Sequence, residues 1–217
     1  MAIKVLLVEH QTLLRQGTAA LLDRFEDVEV VGEASNGEEA VQAARDLEPD
    51  VVLTAVTMPY CNGIETTRQI KACLPSTKVL ALTTHCEGDL VAEMLKAGAS
   101  GYILKSCTPK DLSRAIETVC AGQNYLCPEV TGVVVDGFVN HTAATKPSCF
   151  SALTRREREV LQLLAEGKTI KEIARHLSRS PKTIEMHRRH LMEKLGVHTD
   201  VELAKFALRM GLTSLHG

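Results

Sequence analysis

The sequence predicts an α/β protein with a five-stranded, doubly wound parallel sheet, followed by a small all-α helix-turn-helix domain. Apolar, β-rich runs alternate with helical patterns over residues 3–122, the order of βαβ units in a parallel sheet covered on both faces. After residue 150 the strand-like runs stop, and short helical patterns with marked starts follow one another. A change of net charge from acidic to basic accompanies this shift, which indicates two domains with different roles.

The clearest strand of the first domain covers residues 51–56. It is an apolar, β-rich run, as expected of a strand buried on both faces. It breaks at the Met58-Pro59 loop, and Asn62-Gly63 leads into a helical pattern. The other strand-like runs lie at residues 3–8, 28–31, 79–83 and 101–105, and the five helical patterns begin near residues 13, 38, 63, 89 and 109.

Charge and composition predict the domain boundaries. Residues 1–125 hold 11 Lys and Arg against 17 Asp and Glu, whereas residues 151–217 hold 13 against 8. A small basic domain beside an acidic one is expected to meet a polyanion. Residues 126–150 are predicted to be a linker, because their second half is rich in Thr, Ala, Lys, Pro and Ser and Val133–Val135 suffices only for a short helical turn.

Length and composition narrow the class of protein. The chain has 217 residues and no apolar run near the roughly 18 residues that span a membrane. The N-terminus lacks the layout of a signal peptide. Seven cysteines without a CxxC pair favour reduced thiols. We therefore expect a cytoplasmic protein without membrane contact or cofactor, and no set of nucleophile, base and orienting group indicates an enzyme.

Polar residues follow the predicted strands where the carboxyl ends of parallel strands meet. Glu9 and His10 follow the first strand, Thr83 ends the fourth and Lys105 ends the fifth. With the Met58-Pro59 loop and Gly101-Tyr102, this pattern resembles the receiver domain of response regulators, a CheY-like, flavodoxin-like fold, over residues 3–122. The resemblance implies two acidic residues that hold Mg²⁺, an Asp on the third strand that takes a phosphoryl group, and a Thr and a Lys that read it.

The chain departs from this pattern at the phosphorylation site. Ala55 stands at the position of the phosphoacceptor Asp, and alanine has no nucleophile. His10 replaces the second acidic residue, and imidazole is a poor Mg²⁺ ligand. A single Asp→Ala change could be a laboratory substitution, but the accompanying His10 favours natural loss. We expect a degenerate pocket of Glu9, His10, Ala55, Thr83 and Lys105 that is not phosphorylated.

The same edge of the sheet carries soft ligands. Cys61, Cys86 and Cys107 follow the third, fourth and fifth strands, and His10 and His85 lie on the same rim. These groups could bind Zn²⁺ or Cu(I) or sense oxidants, although no pair of them has the spacing of a metal motif. We keep a metal- or redox-sensing regulator as an alternative.

The C-terminal domain has the marks of a helix-turn-helix. Thr154 and Glu157 form a capping box for helix 155–166, and Thr169 caps helix 170–177. Ser180 caps the third helix, with Pro181 at its first position. Wound at 100° per residue, the third helix places its apolar residues on one face, which also carries His187, and charged residues on the other.

The polar face of the third helix is expected to enter the major groove of double-stranded DNA. Glu185, Met186 and Arg189 are nominated for base edges, Arg towards guanine and Glu towards cytosine. The residues expected at phosphates are Lys182, Thr183, Arg188 and Lys194.

The motifs of this domain are more specific than those of the first. Leu153-Thr-Arg-Arg-Glu-Arg-Glu-Val-Leu, Glu172-Ile-Ala and Thr183-Ile-Glu-Met-His resemble the LuxR/FixJ-type helix-turn-helix, and the order of the two domains matches NarL-type response regulators. The resemblance implies a homodimer formed through a fourth helix, here 200–210, and through the receiver face around Tyr102. The apolar residues of the fourth helix, which could equally pack internally, are Leu203, Ala204, Ala207 and Leu208.

The two resemblances together imply a sequence-specific transcriptional regulator that acts without aspartyl phosphorylation. A partner protein or a small ligand at the receiver could then replace the phosphoryl signal. An interaction module that titrates a related regulator through mixed dimers remains the other alternative.

Overall fold

A parallel sheet forms the centre of the N-terminal part of the chain, in the strand order β2-β1-β3-β4-β5-β6. The computed structural model describes residues 2–58, 62–140, 152–210 and 212–213, and these divide into two units, residues 1–138 and 139–217. The strands are β1 Ile3–Val8, β2 Val28–Ala34, β3 Val51–Ala55, β4 Lys78–Thr83, β5 Gly101–Leu104 and β6 Tyr125–Leu126.

Helices connect the strands in the alternating order expected from the sequence. They are α1 Thr12–Leu22, α2 Gly37–Leu47, α3 Gly63–Cys73, α4 Gly88–Lys96, α5 Pro109–Cys120 and α6 Pro128–Asn140. Every residue of β3 is buried, as are most residues of β1 and β4, because helices cover both faces of the sheet. The prediction of a doubly wound parallel sheet is confirmed.

The second unit is a set of short helices with polar caps. They are α7 Arg155–Ala165, α8 Ile170–His176, α9 Pro181–Leu195 and α10 Asp200–Arg209. Capping boxes open α7, α8 and α10, and Ser180 caps α9, with Pro181 at its first position. Buried side chains such as Leu161, Ile173 and Leu191 form the core between these helices.

The structure differs from the sequence-based expectation at the end of the first unit. A short sixth strand pairs in parallel with β5, and α6 occupies much of the stretch predicted as a linker. Val130 is fully buried, because the start of α6 packs onto the rest of the first unit. A methyl group placed on Gly88, at the start of α4, would lie only 3.2 Å from Val133 Cγ1. The remainder of the predicted linker, residues 141–150, lies outside the described residues.

Candidate functional sites at the sheet edge and on the basic helices

The sheet brings Glu9, Ala55, Thr83 and Lys105 to its carboxyl edge. Val8 pairs with Thr54, and Ala55 pairs with Leu82, so that the ends of β1, β3 and β4 are in register. The backbone N–H of Lys105 donates to the carbonyl of Thr83 at 2.7 Å, which continues the ladder beyond β5. The pocket residues predicted from the sequence therefore end neighbouring strands.

Glu9 is the centre of the polar contacts at this edge. Its side chain is 4% exposed, and Oε2 accepts a 2.6 Å hydrogen bond from Lys105 Nζ. Oε1 accepts from the backbone N–H of Gln11 at 2.9 Å and lies 3.1 Å from His10 Nδ1, a close polar contact without the alignment of a hydrogen bond. Burial alone would raise the pKa of Glu9, but the contacts with His10 and Lys105 outweigh burial and hold the pKa at about 2.

Ala55 presents a buried methyl group at the end of β3, with 3% exposure. The start of α3 closes against it: a Cβ on Gly63 would lie 2.3 Å from the carbonyl oxygen of Ala55. Only glycine fits this approach, and its N–H donates to the carbonyl of Val56 at 2.8 Å. Thr83 is also buried, and its hydroxyl accepts from the backbone N–H of His85 at 3.2 Å.

Tyr102 does not offer the docking surface that the sequence suggested. Its side chain is fully buried, and its hydroxyl donates to the carbonyl of His85 at 2.9 Å. Burial, with the charge of Glu87, raises the pKa of the phenol. β6 pairs beside β5, and the N–H of Cys127 donates to the carbonyl of Tyr102 at 3.2 Å, so that Tyr102 itself is covered. The receiver face around it as a contact between copies stays a prediction.

The thiols of the edge differ in exposure. Cys86 is exposed and Cys107 is half-buried, and burial, with the charge of Asp111, raises the pKa of the Cys107 thiol. Cys61 lies outside the described residues. Within the residues that the structure does describe, no three His, Cys, Asp or Glu side chains come together in a group that could hold a metal ion.

Helix α9 separates its residues as the helical wheel predicts. Ile184 and Leu191 are buried in the unit, and His187 is half-buried beside them. The exposed residues are Pro181, Lys182, Glu185, Met186, Arg189, His190, Glu193 and Lys194. Their spacing of three and four residues forms one continuous face, because such residues are neighbours on a helix. His190 belongs to this face and was missed, although its position four residues after Met186 could have indicated it.

Three residues expected at phosphates have partners within the unit. Arg188 donates from Nε and Nη2 to Asp200 Oδ1, at 3.0 and 2.7 Å. Lys194 Nζ donates to Glu157 Oε2 at 2.7 Å. The hydroxyl of Thr183 lies 2.8 Å from that of Ser180, in the cap of α9. Only Lys182 of the four is an exposed cation without an ion pair to any residue described in the structure.

The Lys194 pair joins α9 to the start of α7. Glu157 is 4% exposed and also accepts from the backbone N–H of Thr154 at 2.7 Å, in the capping box. Burial alone would raise the pKa of Glu157, but the hydrogen bonds from Lys194 and Thr154 outweigh it, and the pKa is lowered. Lys194 thus holds α9 against α7.

Part of the apolar stripe of helix α10 is buried within the unit. Leu203 and Ala207 are almost completely buried, and α10 packs against α7. Ala204 and Leu208 are half-buried, and Val201 is 64% exposed. The outward apolar positions are therefore 201, 204 and 208, spaced three and four residues apart. Val201 was missed, although this spacing extends the predicted stripe by one turn.

None of the helices in the described part of the chain is both long and apolar enough to cross a membrane.

Comparison with known families and structures agrees with this two-part organisation. Residues 5–117 match the family described as the response regulator receiver domain, and residues 151–207 match the bacterial regulatory proteins of the luxR family. Response regulator UvrY of Escherichia coli is 36% identical over 210 residues, which cover 97% of this chain and 95% of UvrY.

Two solved structures of RcsB are similar over nearly the whole chain. RcsB from Salmonella enterica serovar Typhimurium, bound to promoter rprA in the presence of the phosphomimetic BeF3-, is 26% identical, with a TM-score of 0.66 and coverage of 95% and 98% of the two chains. A structure of two RcsB dimers bound to two parallel DNAs is 28% identical, with a TM-score of 0.60 and coverage of 96% and 99%. These relatives are regulators and not enzymes, as the sequence led us to expect. A chain that matches both family models in this order, and UvrY from end to end, belongs to the luxR family of response regulators.

Proposed function

We propose that this chain is a cytoplasmic, sequence-specific DNA-binding regulator of transcription whose receiver works without aspartyl phosphorylation. The observation that carries this proposal is Ala55. It ends β3 with a buried methyl group at the position of the phosphoacceptor, and a methyl group cannot attack a phosphodonor. Activity would then follow the amount of protein, a partner protein or a small ligand at the receiver.

The residues around Ala55 also fail to fit the Mg²⁺ that receivers of this fold use. Of the three positions where carboxylates would be expected, only Glu9 carries one, and Lys105 holds that carboxylate at 2.6 Å. His10 supplies an imidazole, which Mg²⁺ does not favour beside oxygen ligands. The ammonium of Lys105, which would neutralise a phosphoryl group, already has a charge partner. No step of the proposed function therefore passes through a metal.

The exposed face of α9 supports binding to the major groove. Arg189 is exposed without an ion pair among the described residues, and a guanidinium at this position suits the O6 and N7 acceptors of guanine. Glu185 could accept from the N4 amino group of cytosine. Met186, 40% exposed, could pack on a thymine methyl group. Lys182, at the start of α9, lies where a phosphate would be met.

We propose further that two copies bind DNA together through α10. The outward apolar face of Val201, Ala204 and Leu208 remains after Leu203 and Ala207 are used in the core. The RcsB dimers on DNA support binding by two copies, and the choice of α10 rests on its outward apolar face. The receiver face around Tyr102 is not part of the proposal, because Tyr102 is buried.

Two measurements on the full-length protein test the proposed function. In the first, bound duplexes are selected from random DNA and sequenced, and a two-fold-symmetric motif is expected. An interaction module that only titrates a related regulator would enrich no motif by itself. In the second, affinity for the selected site is measured with and without acetyl phosphate and Mg²⁺, and no change is expected. A clear gain of affinity would contradict phosphorylation independence.

The alternative of a metal- or redox-sensing regulator has its own test. Stoichiometric zinc or copper in the purified protein, or DNA affinity that changes with oxidation of the thiols, would favour it. We do not prefer it, because the described residues offer no group of three ligands for a metal.

A further inference from the structure

The cations of the C-terminal unit fall into two groups. On α9, Arg188 and Lys194 are engaged inside the unit, with Asp200 and Glu157. A second group is exposed and forms no ion pair with any residue that the structure describes: Lys168, Lys171, Arg175, Arg179, Lys182, Arg189 and Lys205. The sequence alone had assigned phosphate contacts to both engaged cations and to only one of the free ones.

Three of the free cations, Lys171, Arg175 and Arg179, lie on α8 and in the turn that leads to α9. Lys171 and Arg175 lie four residues apart on α8, which places them on one side of the helix. Ile173 and Ala174 face the core from the other side. Arg179 lies in the turn between α8 and α9, where, among the residues that the structure describes, its guanidinium donates only to the backbone carbonyl of Ser178.

The engaged cations are not equally available to a polyanion. Release of Lys194 would leave the carboxylate of Glu157, 4% exposed, without its charge partner, and an unpaired buried charge is strongly unfavourable. Arg188 is held by two hydrogen bonds to one carboxylate oxygen of Asp200, the first residue of α10. Asp200 is 67% exposed, so this pair is weaker than the Lys194 pair, but it also joins α9 to a neighbouring helix.

From these positions we infer that Lys171, Arg175 and Arg179 contact the DNA phosphates beside the groove that α9 reads, and that Arg188 and Lys194 do not. The inference rests on the proposed DNA-binding function. In a helix-turn-helix the first helix crosses the backbone while the second lies in the major groove, and α8 holds the place of the first helix. Arg188 and Lys194 are positioning residues, which act on DNA only through the orientation of α9.

Counterion release makes the two roles distinguishable. Each cation that neutralises a phosphate of duplex DNA steepens the dependence of log K on log salt concentration by roughly 0.9. A phosphate contact carries no sequence information, so its loss weakens binding to every sequence by the same factor. A positioning residue changes the affinity for a preferred site without removing a counterion.

The experiment measures binding of the full-length chain to a mixed-sequence duplex and to the site found by selection, over a series of potassium chloride concentrations. The variants are Lys171→Gln, Arg175→Gln, Arg179→Gln and Arg188→Gln. Arg175→Lys preserves the charge, and Lys205→Gln removes an exposed cation of α10. Melting curves from circular dichroism establish that each variant is folded.

Each neutral variant at positions 171, 175 and 179 is expected to lower the magnitude of the salt slope by roughly 0.9 on both duplexes. Arg175→Lys, Lys205→Gln and Arg188→Gln are expected to keep the slope of the unchanged protein. Unchanged slopes for the α8 and turn variants, with a lower slope for Arg188→Gln, would overturn the inference and leave DNA binding intact. Failure of the unchanged protein to bind either duplex would contradict the proposed function itself.

Discussion

Lys105 Nζ lies 2.6 Å from Glu9 Oε2, so that the ends of β5 and β1 are joined by an ion pair across the edge of the sheet. Between these strands lie β3 and β4, and β3 ends in the methyl group of Ala55. The pair uses the one carboxylate of the pocket and its one ammonium for each other. This contact explains how the edge can remain buried and charge-balanced without a metal or a phosphoryl group.

The first prediction is that two substitutions are needed to restore phosphorylation. Ala55→Asp supplies a nucleophile, and His10→Asp supplies a second carboxylate for Mg²⁺. We expect the double variant, incubated with acetyl phosphate and Mg²⁺, to gain the mass of one phosphoryl group as its carboxylate displaces acetate. Ala55→Asp alone should be labelled much less, because Glu9 is the only other carboxylate of the pocket and is held by Lys105.

Intact-mass spectrometry under denaturing conditions measures this labelling. The unchanged protein and His10→Asp serve as controls, and neither should gain mass. Equal labelling of Ala55→Asp with and without His10→Asp would show that the second carboxylate is not what the pocket lacks.

The second prediction concerns acid stability. The pKa of Glu9 is about 2 in the folded chain against an ordinary value of 4.5, so the folded state favours the carboxylate. Its contribution is present above about pH 4.5 and is lost as the pH falls towards the folded value of about 2. Glu9→Gln should therefore lower the free energy of unfolding at neutral pH, on the order of 2 to 3 kcal/mol, and the difference should shrink in acid.

Urea unfolding at several pH values measures this difference. The chain has no Trp, and its three Tyr residues, Tyr60, Tyr102 and Tyr125, all belong to the first unit, so that tyrosine fluorescence reports on that unit alone. Glu29→Gln, at an exposed position of β2, is the matched control and should behave as the unchanged protein. A Glu9→Gln difference that stays constant with pH would contradict the linkage.

Much of the fold could be predicted because its signals are local. Apolar runs, caps and helical spacing located β1 to β5, α1 to α5 and α7 to α10 within a residue or two, apart from the end of β2, which extends to Ala34. β6 was missed because a strand of two residues has no periodicity. Helix α6 was missed because its valines, such as Val130, show no clear helical pattern in the sequence. Their burial becomes visible only when they pack on the rest of the first unit.

The site was less predictable because its contacts join residues distant in sequence. The partner of Lys194 is Glu157, 37 residues away, and nothing near Lys194 indicates that its ammonium is engaged. Tyr102 lies on the strand from which the docking face was expected, but β6 and the following turn cover it. A helical wheel can separate inside from outside, but it cannot show which outward cations already have partners.

The third prediction separates the two roles of Glu157. Glu157→Gln can keep the capping bond to the Thr154 N–H, because glutamine also serves in a capping box, but it removes the charge that Lys194 meets. Glu157→Ala removes both. We expect Glu157→Ala to lower the free energy of unfolding by about 1 kcal/mol more than Glu157→Gln does, the usual value of a helix cap.

Residues 139–217 contain no Tyr, so tyrosine fluorescence does not report unfolding of the second unit. Far-UV circular dichroism measures that unfolding transition instead. Since the pKa of Glu157 is lowered in the folded unit, its contribution is present at neutral pH and is lost in acid below its ordinary value of 4.5. The control is Glu185→Gln, which removes a carboxylate from an exposed position of α9 and should leave the free energy of unfolding unchanged. Equal losses in Glu157→Gln and Glu157→Ala would mean that the cap contributes nothing.

The fourth prediction tests α10 as the contact between two copies on DNA. Val201 is 64% exposed on the outward face of the helix, so Val201→Glu should leave the fold intact, with a change of stability within about 0.5 kcal/mol. A carboxylate placed in an apolar contact between copies must be desolvated without a partner, which opposes association. We therefore expect Val201→Glu to lose the cooperative binding of two copies to a symmetric site and to retain binding of one copy to a half-site.

Titration of both duplexes in a gel-shift assay, with analytical ultracentrifugation for stoichiometry, measures this loss. Leu203→Glu is the informative contrast, because Leu203 is 1% exposed and a buried carboxylate there should unfold the C-terminal unit and abolish binding to both duplexes. Lys168→Gln removes an exposed charge of the same unit outside α10 and should retain cooperativity. Cooperative binding that survives in a folded Val201→Glu variant would mean that the copies meet through another surface.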